Sequence, residues 1–193
     1  MRPSQTGKTD LTLRLIAERE RVISKKIEKV VYVFGKDQPR FHKPQYADIE
    51  FTPSFPNEED LTPNSMLIFD DVMTQLESNY NSYITRLVTL SVNHAEVSVI
   101  ILLHNLYAKN LRSLQLSCQY ICFFRQPRDL STISVLSKQI FPSVKGFLKD
   151  CYYFATRKRY SYLFIDIHPS QDQDKIVRTS IFSYDSDCYL LLP

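Results

Sequence analysis

Glycine is scarce: Gly7, Gly35 and Gly146 are the only three in 193 residues, and tryptophan is absent. Few positions can therefore turn through positive φ without strain. Cysteine is limited to Cys118, Cys122, Cys151 and Cys188. Cys118 and Cys122 make one C-x-x-x-C pair with no matching His or Cys pair elsewhere, which argues for buried free thiols rather than zinc. No apolar run approaches the ~20 residues needed to cross a bilayer. The charged, polar N-terminus lacks a signal peptide's apolar segment, so the chain reads as intracellular and reduced, with no membrane partner. An excess of one charge is also missing. Lys and Arg number 24 against 21 Asp and Glu, a net charge of +3, so any nucleic-acid surface is local. What remains, 44% hydrophobic and 23% charged residues, is ordinary globular composition and predicts a single domain over residues 1–193.

The most informative stretch is the first. Arg2-Pro3-Ser4-Gln5-Thr6-Gly7-Lys8-Thr9 leads directly into an amphipathic run containing Leu11, Leu13, Leu15 and Ile16. A glycine-rich loop opening a helix is a phosphate cradle, because its backbone N–H groups and a following lysine converge on the anion. The consensus G-x-x-x-x-G-K-[ST] is met at Gly7, Lys8 and Thr9, whereas Arg2 stands where it requires glycine. Pro3, Ser4, Gln5, Thr6, Gly7, Lys8 and Thr9 are the candidate nucleotide-binding residues, with a polyphosphate as ligand and the Thr9 hydroxyl on Mg2+. A phosphate loop ordinarily follows a buried strand. Only Met1 precedes Arg2, so a short apolar strand is expected upstream of this chain, which then reads as N-terminally truncated.

Downstream the pattern alternates. One helix is expected from Gly7 to about Lys26, then a strand over Lys29–Phe34, apolar on both faces and ending at Gly35. Residues 36–64 carry five prolines and form an expected irregular excursion, with a short strand at Ile49–Phe51. Ser65–Phe69 reads as a buried strand ending in Asp70 and Asp71. Two readings fit those carboxylates. They either cap a helix from about Met73 to Asn93, or complete a nucleotide site in which Asp70 holds magnesium through water and Asp71 polarises the attacking water. Val97–Leu103 is the most apolar strand and stops at His104-Asn105, where side chains point into the crevice at a parallel sheet's carboxyl edge. Asn105, or His104 beside it, is the candidate γ-phosphate sensor.

A short helix or turn at Leu111–Leu116, a strand at Gln119–Phe124, and a basic turn from Arg125 to Asp129 follow. Helices through Ile133, Leu136 and Ile140 and over about Val144–Thr156 come next. Two last strands, Tyr162–Asp166 and Val177–Phe182, are expected to pair as a hairpin-like addition. Strands alternating with helices predict an α/β three-layer domain with a mostly parallel sheet.

The order and spacing of Ser65–Asp71, Asn93–Ile100 leading to His104-Asn105-Leu106, and Ser117–Pro142 with its Arg125-Gln126-Pro127-Arg128-Asp129 turn resemble the FtsK/HerA-type genome-packaging ATPases. The likeness points to those of Polinton/Maverick elements and of related adenovirus-like and poxvirus-type DNA viruses. It implies a P-loop NTPase fold of the RecA-like, additional-strand class, and magnesium-dependent ATP hydrolysis. It also implies a homo-oligomeric ring that translocates double-stranded DNA, with capsid or portal proteins as partners. Lys8 and Thr9 then match the phosphate-loop pair, and Asp70 and Asp71 the Walker B pair. His104 stands where relatives carry glutamine. An arginine finger from a neighbouring subunit is expected among Arg112, Arg125 and Arg128, of which Arg128 is taken as catalytic.

Arg157-Lys158-Arg159, flanked by Tyr153 and Tyr160, is the densest basic run. It reads either as a contact for DNA phosphates or as a solvated turn before a strand. Three other functional classes remain open: a decayed, inactive copy of such an ATPase, another P-loop DNA-processing machine, and an interaction module built on residues 36–64.

Overall fold

The computed structural model describes residues 6–72, 81–88, 96–104, 112–126 and 130–193. The chain divides into two compact units, Thr12–Ser117 and Met1–Leu11 with Cys118–Pro193.

In the unit Thr12–Ser117, four strands form an all-parallel sheet: β1 (Lys29–Phe34), β2 (Ile49–Thr52), β3 (Ser65–Asp70) and β4 (Ser98–Leu102), in the order β2-β1-β3-β4. Because side chains alternate along a strand, the apolar runs supply two core faces. Val31, Val33, Leu67 and Phe69 pack on one face with Ile84 of α3 (Asn81–Arg86), Leu87, and Leu114 of α4 (Arg112–Ser117). Val30, Tyr32, Met66 and Ile68 pack on the other with Leu13 and Ile16 of α1 (Lys8–Ala17), and with Ile27 and Phe41. Helices on both faces make this unit a three-layer α/β arrangement. β3, paired on both sides, is buried along its whole length.

The single helix expected to Lys26 is two: α1 ends at Ala17 and α2 covers Arg19–Val22. Side-chain chemistry at the break explains the early stop. Arg19 donates to the Ile16 carbonyl at 3.0 Å and pairs with Asp48 at 2.8 Å, while Arg14 pairs with Glu18 at 2.8 Å. The carbonyl thus gains a side-chain partner at the end of the helix.

The proline-rich stretch is more ordered than expected. β2 joins the sheet beside β1, and short 3-10 turns at Pro39–His42, Pro44–Tyr46 and Glu58–Asp60 surround it. Pro39 and Pro44 each open a turn, where a fixed φ is useful and the missing N–H has no partner to lose. Phe41 anchors the segment, stacking on Phe51 at 4.7 Å and contacting Tyr32 at 5.1 Å. Of the helix expected over 73–93, the described part is α3 with Leu87 and Val88; residues 73–80 and 89–93 lie outside the described residues.

The other unit holds a small antiparallel sheet, β5 (Tyr120–Phe124), β6 (Tyr162–Asp166) and β7 (Val177–Arg178), in the order β5-β6-β7. Helices α5 (Leu130–Ile140) and α6 (Phe147–Ala155) bury Ile133, Leu136, Leu148 and Tyr152 against Leu163, Ile165 and Val177. The expected hairpin-like pairing of the last two strands is present, but β7 is two residues long rather than six. Beyond Arg178 the chain doubles back, with the Thr179 N–H donating to the Tyr189 carbonyl at 3.1 Å, and Phe182 turns into the interior. The residues of β5 have the apolar content of a buried strand, yet β5 is half-buried and pairs antiparallel with β6.

Candidate functional site

Register places the carboxyl ends of three parallel strands side by side. Phe34 pairs with Asp70, and Asp70 with Leu102, so Gly35, Asp71 and His104 leave the sheet at one edge. Ligands of open parallel sheets bind outside such an edge.

Asp70 is 7% exposed and accepts a 2.7 Å hydrogen bond from the hydroxyl of fully buried Tyr32. A buried hydroxyl and a buried carboxylate both need partners, and here each serves the other. Tyr32 lies on β1 and Asp70 on β3, so the bond fixes the carboxylate from the neighbouring strand. The Gly35 N–H donates to the Asp70 carbonyl at 2.8 Å. A Cβ on Gly35 would sit 2.1 Å from the Asp71 carbonyl oxygen, so only glycine lets the two strand ends approach this closely. Asp71 itself adopts φ 57, a left-handed conformation that Asp tolerates better than most residues. The turn leaves its side chain exposed, with one carboxylate oxygen 3.3 Å from His104 Nε2. Asp70, Asp71 and His104 are thus brought together within the unit Thr12–Ser117.

Gly7, Lys8 and Thr9 belong to the other unit. Gly7 has φ 98 and its carbonyl accepts the Leu11 N–H at 2.9 Å, so the glycine stands immediately before α1 and Lys8 and Thr9 form the helix's first turn. Pro3, Ser4, Gln5, Asn105 and Arg128 lie outside the described residues. Of the other candidate fingers, Arg112 opens α4 and Arg125 is exposed just after β5. The basic run is individually engaged. The Arg157 guanidinium lies 4.2 Å from the Phe154 ring, Lys158 pairs with Asp187 at 2.7 Å, and Arg159 stacks over Tyr160 at 5.1 Å.

Two features escaped the sequence reading. The Tyr32 hydroxyl left no signal, because Tyr32 reads as one more apolar strand residue; a polar tip on a both-faces-buried strand is the available clue. Asp166 is the second. Buried at the end of β6, it accepts from the Gln171 amide, from Arg178 at 3.3 Å and from the His168 N–H at 3.2 Å, so it ties β7 and the following loop to β6.

The four cysteines are not joined by disulfides. Desolvation in β5, with a smaller push from Cys118, raises the Cys122 thiol to about 12. Burial likewise raises Tyr162 to about 12, against its hydrogen bonds to Ser180 and the Ile181 N–H. Among the described residues no group of three or more His, Cys, Asp or Glu gathers as a metal site. Nor is any described helix long and apolar enough to cross a membrane. The chain matches no protein-family model, no curated protein and no solved structure.

Proposed function

We propose that this chain is the ATP-hydrolysing subunit of a motor that moves double-stranded DNA into a viral or virus-like capsid. The observation that carries the reading is the acid pair at the carboxyl end of a central parallel strand, with Asp70 buried and oriented by Tyr32 and Asp71 turned outward beside His104. The left-handed Gly7 immediately before Lys8 and Thr9 supports it. On this reading the fold is a P-loop NTPase of the RecA-like, additional-strand class. Subunits form a ring inside the host cell, and capsid or portal proteins receive the DNA.

Each residue has a defined task. The Lys8 ammonium holds the terminal phosphates, and Asp71 orients and polarises water for attack on the γ-phosphorus. Thr9 and Asp70 offer hard oxygen donors, which suit Mg2+. Bound magnesium would neutralise charge developing on the phosphate oxygens. Asn105 senses the γ-phosphate and Arg128 acts on a neighbouring subunit's nucleotide.

One observation favours a second reading, a nucleotide-binding protein without turnover. His104 Nε2 lies 3.3 Å from the outward oxygen of Asp71, and an imidazole there competes with the water that Asp71 must polarise. The test is steady-state ATP hydrolysis by the wild type, Asp71→Asn and His104→Gln, with and without double-stranded DNA. The motor predicts DNA-stimulated turnover that is lost in Asp71→Asn. Turnover confined to His104→Gln would favour the second reading.

A further inference from the structure

Tyr160 is an exposed aromatic residue held in a conformation that aromatic residues avoid. Its φ is 65, it is 53% exposed, and it lies in the turn between α6 and β6, with Ser161 between it and the strand. A left-handed backbone at a bulky side chain is an outlier that costs free energy and persists only where the surroundings impose it. What lies beside it is Gly7. A Cβ at Gly7 would stand 3.3 Å from Tyr160 Cβ and 3.4 Å from its Cδ1, with Phe124 Cε1 at 3.6 Å. Both residues lie in the unit formed by Met1–Leu11 and Cys118–Pro193. Strand pairing explains the meeting: Phe124 ends β5 opposite Tyr162 at the start of β6, so the turn carrying Tyr160 arrives at the same end of the sheet.

The ring is not bare. The Arg159 guanidinium lies over it, 5.1 Å from the centroid, and among the described residues Arg159 has no carboxylate partner, whereas neighbouring Lys158 is committed to Asp187. The cation over the ring puts positive charge beside an exposed aromatic face. Nucleobases stack on aromatic rings and on guanidinium planes alike, and the cation favours a phosphorylated ligand.

We propose that Tyr160, backed by Arg159, is the platform on which the purine base of the nucleoside triphosphate stacks. This rests on the reading of Gly7-Lys8-Thr9 as the phosphate loop. The phosphates provide an anchor that any triphosphate shares, and Tyr160 adds the discrimination between a nucleotide and a bare polyphosphate. The strained turn sets one edge of the ring against Gly7 and leaves the rest of it open to a ligand.

Calorimetric titration of the full chain in Mg2+ with ATP and separately with inorganic tripolyphosphate tests this. Tyr160→Gly is the informative variant, because glycine accepts positive φ and so removes the ring while relieving the backbone. Its melting temperature is expected to equal or exceed the wild type's, while ATP affinity falls on the order of tenfold and tripolyphosphate affinity is unchanged. Tyr160→Phe retains ATP affinity, and Lys8→Ala loses both ligands. Unchanged ATP affinity in Tyr160→Gly, or an equal loss for both ligands, overturns the platform alone. A folded wild type that binds neither ligand overturns the phosphate-loop reading, and the platform with it.

Discussion

Asp70 and Tyr32 place a hydrogen-bonded polar pair inside the core of the parallel-sheet unit. Tyr32 is fully buried and its hydroxyl has the Asp70 carboxylate 2.7 Å away. Tyr32→Phe keeps the ring and removes this donor to the buried carboxylate. We expect a loss of about 1–3 kcal/mol in a urea titration, the range for a hydrogen bond to a buried charged group. A loss of stability below that range would show that solvent or another group replaces the hydroxyl.

The raised acids of β5 and β6 make a second prediction at this scale. Cys122 is pushed from 9.0 to about 12 and Tyr162 from 10.0 to about 12, chiefly by desolvation. Both groups therefore remain protonated in the native state at pH values where the unfolded chain has already ionised. The unfolded state then binds fewer protons, and stability falls as pH rises. It should decline from about pH 9 to about 12, and less steeply in Cys122→Ala, where Cys151, raised from 9.0 to about 11, keeps the same onset. Thermal melts across that range read the slope, and a flat profile in the wild type would contradict it.

Among the elements, β4 is the anomaly. Its sequence, Ser-Val-Ile-Ile-Leu, is the kind of continuous apolar run found where a parallel strand has neighbours on both sides. Yet among the described residues it pairs with β3 alone, and four of its five residues are only half-buried. In a parallel ladder successive N–H groups of a strand point to alternate sides. Hydrogen exchange should therefore protect β3 throughout but only alternate amides of β4. Uniform protection along β4 would mean that its second edge is covered.

Much of this level was legible in the sequence. β1, β3 and β4 announce themselves by unbroken β-branched and aromatic runs, and the acid pair closes β3 where the text of the chain places it. The break after Ala17 was not legible, because it depends on Arg19 reaching the Ile16 carbonyl and Asp48, a partner 29 residues away. The direction of β5 was not legible for a related reason: apolar content does not reveal it, and its partner β6 lies beyond two helices. The packing of residues 36–64 onto the sheet turns on Phe41, one aromatic among five prolines that argued for irregularity. The meeting of Gly7 with Tyr160 links residues at nearly opposite ends of the chain, and no local pattern encodes it.

At the scale of the whole molecule, one unit carries Asp70, Asp71 and His104 on its parallel sheet, and the other carries Gly7, Lys8, Thr9 and the Arg159–Tyr160 pair. A net charge of +3 gives little general affinity for DNA, so binding on the motor reading comes from local phosphate contacts and weakens steeply with salt. The most direct test of the central claim is phosphate release from ATP in Mg2+, measured with and without double-stranded DNA for the wild type and for Lys8→Ala. The predicted result is turnover that rises with DNA and disappears when the Lys8 ammonium is removed. A folded wild type that releases no phosphate, or turnover that survives Lys8→Ala, would contradict it.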